Sequence, residues 1–319
     1  MKLNHIYKSI ACGVLLAMTA TSCDLDYNPV DTYSDVTEGV NKTDEKPIFN
    51  SVQDVETSMV TLHKKFRDQQ EHWYVDKLLI GDAHSDNAYA GTTGAEVVPY
   101  ETNSIEGSNS VLKRDWDRFL GDIAVANRII VGCDQLKALS ESERGKYQSQ
   151  AKIFRAMVMF DMVRLWGNFP VITTVGGDIT EDNVEEMYPT YFPPQNTAEE
   201  AYAQIEKDLT EAVENPNTPT NDTSDKSILT KSVARAMLAK VYAEKPLRDY
   251  AKVIKYADEL AADGFDLVED FSDLWAYDTE KKDCRVRNTK EAILEAHFPP
   301  GSGNWCTWMF GRNLSNWDE

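Results

Sequence analysis

The chain has 319 residues, with 33 basic and 53 acidic side chains for a formal net charge of −20, and five cysteines. A field of that sign repels phosphate backbones and anionic headgroups, so nucleic acid is excluded as an expected partner. The length suffices for one large or two modest domains with a substantial core.

Lys2 and Lys8 precede an apolar run from Ile10 to Ala20, which Thr21, Ser22 and Cys23 follow. That order predicts a secretory signal over residues 1–22. The run is too short to cross a bilayer, which takes about 20 apolar residues. The small residues before Cys23 predict a lipoprotein signal with Cys23 lipidated as the first mature residue, although Ala20 stands where leucine is usual. Acyl chains hold a protein to a membrane at ~0.8 kcal/mol per buried methylene. Cleavage leaves 31 basic against 53 acidic side chains, a net charge of −22. Cys133, Cys284 and Cys306 then remain, an odd set that closes no disulfide framework. None has a zinc-site spacing, and neither a metal nor another cofactor is expected.

Residues 23–50 are polar, broken by Pro29, Gly39 and Pro47, and are expected as an extended tether. Helical periodicity runs from Ser51 to about Gln70, with Val52, Val55, Met59, Leu62 and Phe66 on one face. The glycine-rich stretch from Gly81 to Asn109 is expected as surface loop rather than core. A helix follows from about Val111 to Leu136, and another from about Ser142 to Trp166, ended by Gly167 and Pro170. Residues 171–196 predict a long irregular excursion.

Thr197 with Glu200 has the spacing of a capping box and opens a helix to about Val213. Helices from about Thr230 to Glu244 and Leu247 to Ala262, divided by Pro246, form a pair. Ala234, Leu238, Ala239 and Tyr242, then Ala251, Tyr256 and Ala257, are its expected points of close approach. Units of about 34 residues with such contacts predict tetratricopeptide-like stacking, with the helices around Trp116 and Phe160 as a second pair. Phe271 to Trp275 reads as a helical turn, residues 265–268 as extended and residues 291–298 as a strand. The expected fold is mainly α: tetratricopeptide-like helix pairs, long irregular loops and few short strands, divided into regions 51–229 and 230–319.

Catalytic patterns are sparse. Ser149 to Lys152 fits S-x-x-K and Ser85 to Asn87 fits S-D-N, but their order is reversed relative to penicillin-recognising enzymes and no K-T-G follows. No H-E-x-x-H, phosphate-cradling loop or G-x-S-x-G occurs, and an enzyme is not expected. Sugar binding calls for flat aromatic faces beside amides and carboxylates. Asp86, Asn87 and Tyr89 offer these in one loop, and Trp305 and Trp308 in another, as the candidate ligand face. Loop structure or hydrophobic docking is the competing reading of the same residues.

The stretch from Gln150 to Pro170 (QAKIFRAMVMFDMVRLWGNFP) resembles the most recognisable segment of the SusD/RagB family. The lipoprotein start, the Gly81–Tyr89 loop, Ile205–Leu209, Ser232–Tyr242 and Glu291–Phe298 follow in that family's order. The resemblance implies a lipid-anchored, surface-exposed outer-membrane protein lying over a TonB-dependent, SusC-like transporter, to which it hands glycan or oligosaccharide. A peptide-binding member, or a structural lid subunit without ligand affinity, is the alternative. Family members usually continue further, so region 230–319 reads as a helix pair plus the start of a truncated C-terminal region. Within the motif, Asp161 is expected to pair with a nearby cation such as Arg155 or Arg164, or to cap a neighbouring loop, because a charge on a mainly apolar helix needs a partner.

Overall fold

A computed structural model describes residues 47–85, 87–89, 94–177, 183–244 and 246–298. The described residues from Ile48 onward belong to a single unit. The predicted signal, Cys23 and nearly all of the predicted tether lie outside the described residues.

Helix α1, Val52–Asp68, starts at Ser51, whose hydroxyl accepts the Asp54 amide at 3.2 Å while the Asp54 carboxylate accepts the Ser51 amide at 3.0 Å. Such reciprocal capping satisfies amides that the first helical turn leaves without partners. A second helical stretch, α2, is built of three consecutive pieces, Glu71–Val75, Asp76–Leu78 and Leu79–Ala83, the first and last π-helical. Short α3, Val98–Glu101, precedes the 26-residue α4, Ser110–Gln135. Asn109 caps α4 by accepting the Val111 and Leu112 amides. The next helix, α5, is Glu141–Trp166, opened by a Ser140/Glu143 capping box and closed at Gly167, whose φ of 73° favours glycine.

Helix α6, Val184–Met187, lies in the excursion, and α7, Ala198–Glu214, begins at the expected Thr197/Glu200 box. The last pair is α8, Lys231–Ala243, and α9, Tyr250–Ala262. A 3-10 turn, Phe271–Leu274, follows. Strands β1, Tyr277–Asp278, and β2, Asp283–Cys284, then pair antiparallel with Tyr277 opposite Cys284.

The long helices stack in order: α1 on α4, α4 on α5, α5 on α7, α7 on α8 and α8 on α9. This is the mainly helical, helix-pair architecture expected from the sequence, and the helices carrying Trp116 and Phe160 do pack together. The core between them includes Phe119, Ile123, Phe154, Phe160 and Ile205, each at most 2% exposed. Phe49 is also buried, because Gly132 of α4 admits its ring. A β-carbon there would fall 2.4 Å from the ring. Burying a phenylalanine contributes about 1.5–3 kcal/mol.

Four local expectations are corrected. The Gly81–Asn109 stretch is not all surface loop: Ala83 ends α2 and is buried, and Tyr100 of α3 is 1% exposed. Residues 291–298 form no strand, since the Ala292 amide turns back onto the Thr289 carbonyl and no described strand lies alongside. Of the expected contact points on α9, Tyr256 does meet α8, its ring parallel to Tyr242 at 6.1 Å, whereas Ala251 and Ala257 face outward. Asp161 pairs with Lys77 of α2 at 2.6 Å. Arg155 and Arg164 are engaged elsewhere, with Asp208 and Glu244.

Candidate functional site

The loop that the sequence singles out begins where α2 ends. Backbone amides of Asn87 and Ala88 return to the Asp82 carbonyl at 2.9 and 3.1 Å, as in a tight turn. The Ser85 hydroxyl donates to the same carbonyl, and the Asn87 side-chain amide donates to Ser85 Oγ at 3.0 Å. Asn87 and Tyr89 are therefore brought together on one exposed turn, Tyr89 with 70% of its surface free. Asp86, Trp305 and Trp308 lie outside the described residues. The turn offers an amide and an open aromatic face, a pairing able to read a sugar's hydroxyls and its apolar face.

The support beneath the turn is charged and partly buried, with His72, Asp76 and Asp122 shielded from solvent. Asp76 of α2 binds Arg114 of α4, Glu71 accepts from Arg118 Nη1 at 2.9 Å, and His72 Nε2 meets Asp122 at 3.1 Å. Lys77 extends the attachment to α5 through Asp161. Farther along, the Asn109 side chain donates to the Glu96 carbonyl at 2.8 Å, and the His84 and Tyr100 rings meet edge to face at 6.3 Å. Thus the first half of α2 is pinned to α4 and α5, and the turn follows at its far end.

Asp115 is the unusual member. It is 1% exposed, neither carboxyl oxygen receives a donor, and Arg114 Nε is 3.8 Å away. Burial, reinforced by the neighbouring Asp76 carboxylate, pushes its carboxyl up to about 8. The group is therefore protonated at neutral pH. The same burial, with the nearby Asp115 and Asp76, pushes the Tyr100 phenol up to about 12. Sequence reasoning missed this layer, although its signal was present: Asp115 and Asp122 fall on the Phe119 and Ala126 face of α4, where acids are unusual.

The S-x-x-K match is explained structurally. Ser149 is buried with its hydroxyl on the Lys146 carbonyl, and Lys152 is held by Glu211 at 2.8 Å. Neither residue is placed as a nucleophile with its base. Among the described residues no cluster of His, Cys, Asp or Glu could hold a metal ion, and no helix is long and apolar enough to cross a membrane.

Stacked helix pairs with an irregular exposed turn at one helix end define a tetratricopeptide-like helical protein. Residues 32–243 match the SusD-like family model described as starch-binding associating with outer membrane, and the chain belongs to that family. A SusD-like protein of Bacteroides ovatus is 25% identical over 309 residues, 93% of this chain and 50% of that protein. A laminarin-binding SusD-like protein superposes with a TM-score of 0.58 at 21% identity, over 71% of this chain and 48% of the other. Surface glycan-binding protein A from Bacteroides fluxus gives 0.62 at 20% identity, over 80% and 52%. The chain spans about half the length of the curated relative it matches.

Proposed function

We propose that this protein is a cell-surface lipoprotein of the outer membrane that captures a glycan and passes it to a TonB-dependent, SusC-like transporter. The observation that carries this reading is the family match across residues 32–243, which contains the exposed Asn87/Tyr89 turn and the helices that hold it. The chemistry of the turn agrees with it, since an open aromatic ring beside an amide suits a saccharide rather than a phosphate or a metal. On this reading Asp86, Asn87 and Tyr89, with Trp305 and Trp308, border the ligand, Cys23 carries the lipid, and the protein binds without cleaving.

Native electrophoresis of the purified chain in gels cast with starch or laminarin tests the proposal. Retarded migration that weakens in Tyr89→Ala is the expected result. Unretarded migration of a folded wild-type chain in a broad polysaccharide panel would favour the structural lid reading or a peptide ligand. Glycan shortened by the protein would contradict binding without cleavage.

A further inference from the structure

A second set of exposed rings lies far along the chain from the Asn87/Tyr89 turn. Phe271, Trp275 and Tyr277 fall within seven residues and are 71%, 74% and 61% exposed. The Phe271 and Trp275 rings stand 6.2 Å apart, tilted by 54°. Tyr277 is opposite Cys284 in the β1–β2 pair, so both side chains leave the hairpin on one face. Cys284 in turn lines a cavity of about 250 Å³ with Leu274, Val286, Glu291 and Glu295. Leu274 and Cys284 thereby connect the cavity to the exposed rings.

The surroundings are built rather than loose. The Arg285 amide donates to the Ala276 carbonyl at 2.7 Å, and the Arg285 side chain binds Asp273. Glu291 accepts the Val268 amide at 3.1 Å, and Glu295 accepts the Asn288 amide. The Glu295 amide donates to the Lys226 carbonyl, and the Lys226 amide to Asn288, fastening the segment to the connection before α8. Aromatic faces thus alternate with fixed carboxylates and guanidinium groups. The core of a protein interface is depleted in charge, whereas a sugar needs a flat apolar surface for its C–H face and acceptors for its hydroxyls.

We infer that the Phe271, Trp275 and Tyr277 face and its adjoining cavity form a second carbohydrate-binding surface, selective for uncharged oligosaccharide. A pyranose stacks on Trp275 while Glu291 and Glu295 accept from its hydroxyls. Those carboxylates, in a chain of net charge −20, disfavour uronate-containing glycans. This inference rests on the glycan-binding reading above.

The test compares wild type, Trp275→Ala and Tyr89→Ala in gels cast with laminarin, starch or polygalacturonate. Trp275 is exposed enough that its replacement leaves cooperative unfolding intact, which circular dichroism checks. Trp275→Ala should need at least about tenfold more neutral glycan for half-retardation, and polygalacturonate should retard no variant. Wild type retarded and Trp275→Ala retarded equally would overturn this surface while leaving the proposed function standing. Unchanged retardation together with a loss of self-association in sedimentation would overturn it in favour of a protein contact. Retardation by polygalacturonate would overturn its selectivity. A wild-type chain that no neutral glycan retards removes the function and this surface together.

Discussion

At Asp115 the side chain shares a face of α4 with Phe119, Asp122 and Ala126, and no donor reaches it. Below pH 3.8 the carboxyl is protonated in the folded and the unfolded chain alike, and folding is not opposed by it. As the pH rises from there to about 8 the unfolded chain releases this proton while the folded chain keeps it, so stability falls across that window and levels above it. The groups facing Asp115 are Asp76 from α2, Tyr100 from α3, and Arg114 and Arg118 on its own helix. Asp115→Asn keeps the shape and a donor toward Asp76 without the proton linkage. Thermal unfolding should show it more stable than wild type by roughly 2–4 kcal/mol at pH 7, with a flatter profile between pH 5 and 8. An identical profile would mean that Asp115 is ionised and solvated in the folded protein. Asp54, Glu143 and Glu200 are held low by hydrogen bonds accepted at helix starts, from the Asn50 amide, the Ser140 hydroxyl and the Thr197 amide. Their contribution is lost as the pH falls below the usual carboxylate range, outside the window Asp115 occupies. His63, held low by burial, is common to both proteins and cancels in the comparison.

Between elements, one buried network ties three helices and the excursion together. Arg155 of α5 donates to both oxygens of Asp208 on α7 at 2.7 and 2.8 Å and to Asn127 of α4 at 2.7 Å. Asn127 in turn donates to the carbonyls of Ile172 and Thr174. Removing one partner strands a charge away from water, so Asp208→Ala should lower unfolding stability by about 3–5 kcal/mol. Arg155→Met with Asp208→Leu should recover much of that loss in a double-mutant cycle. Additive losses would show that the ions do not depend on each other. Helices α1, α4, α5 and α7 were legible in the sequence because apolar periodicity and capping residues are local signals. The partners of Arg155 and Asp161 were not, since they lie 53 and 84 residues away in α7 and α2 and only the packed helices bring them close. The Asn87/Tyr89 turn was legible as exposed polar loop. Its buried support was hidden, because the glycines around Gly81 and Gly91 masked the π-helical turns and the short α3 that bury Tyr100.

For the whole molecule, the proposed lipid attachment at Cys23 is the feature to test. If Cys23 carries the lipid, Cys23→Ala in the full chain should move the protein from the membrane fraction to the soluble fraction and abolish labelling by a radioactive fatty acid. Unchanged fractionation would assign membrane association to some other part of the chain. Glycan retardation of the same variant should match wild type, because the helical unit begins at Ile48. The entry into that unit has a mechanical consequence. Any tension applied ahead of residue 48 reaches Phe49 first, whose ring is seated over Gly132, and the Ile48 amide, held by Gln135 at 3.0 Å. The load therefore enters alongside the last turns of the 26-residue α4 and passes into the helix stack. The free end of α1 is spared, and pulling must dislodge a seated ring before it can unwind a helix.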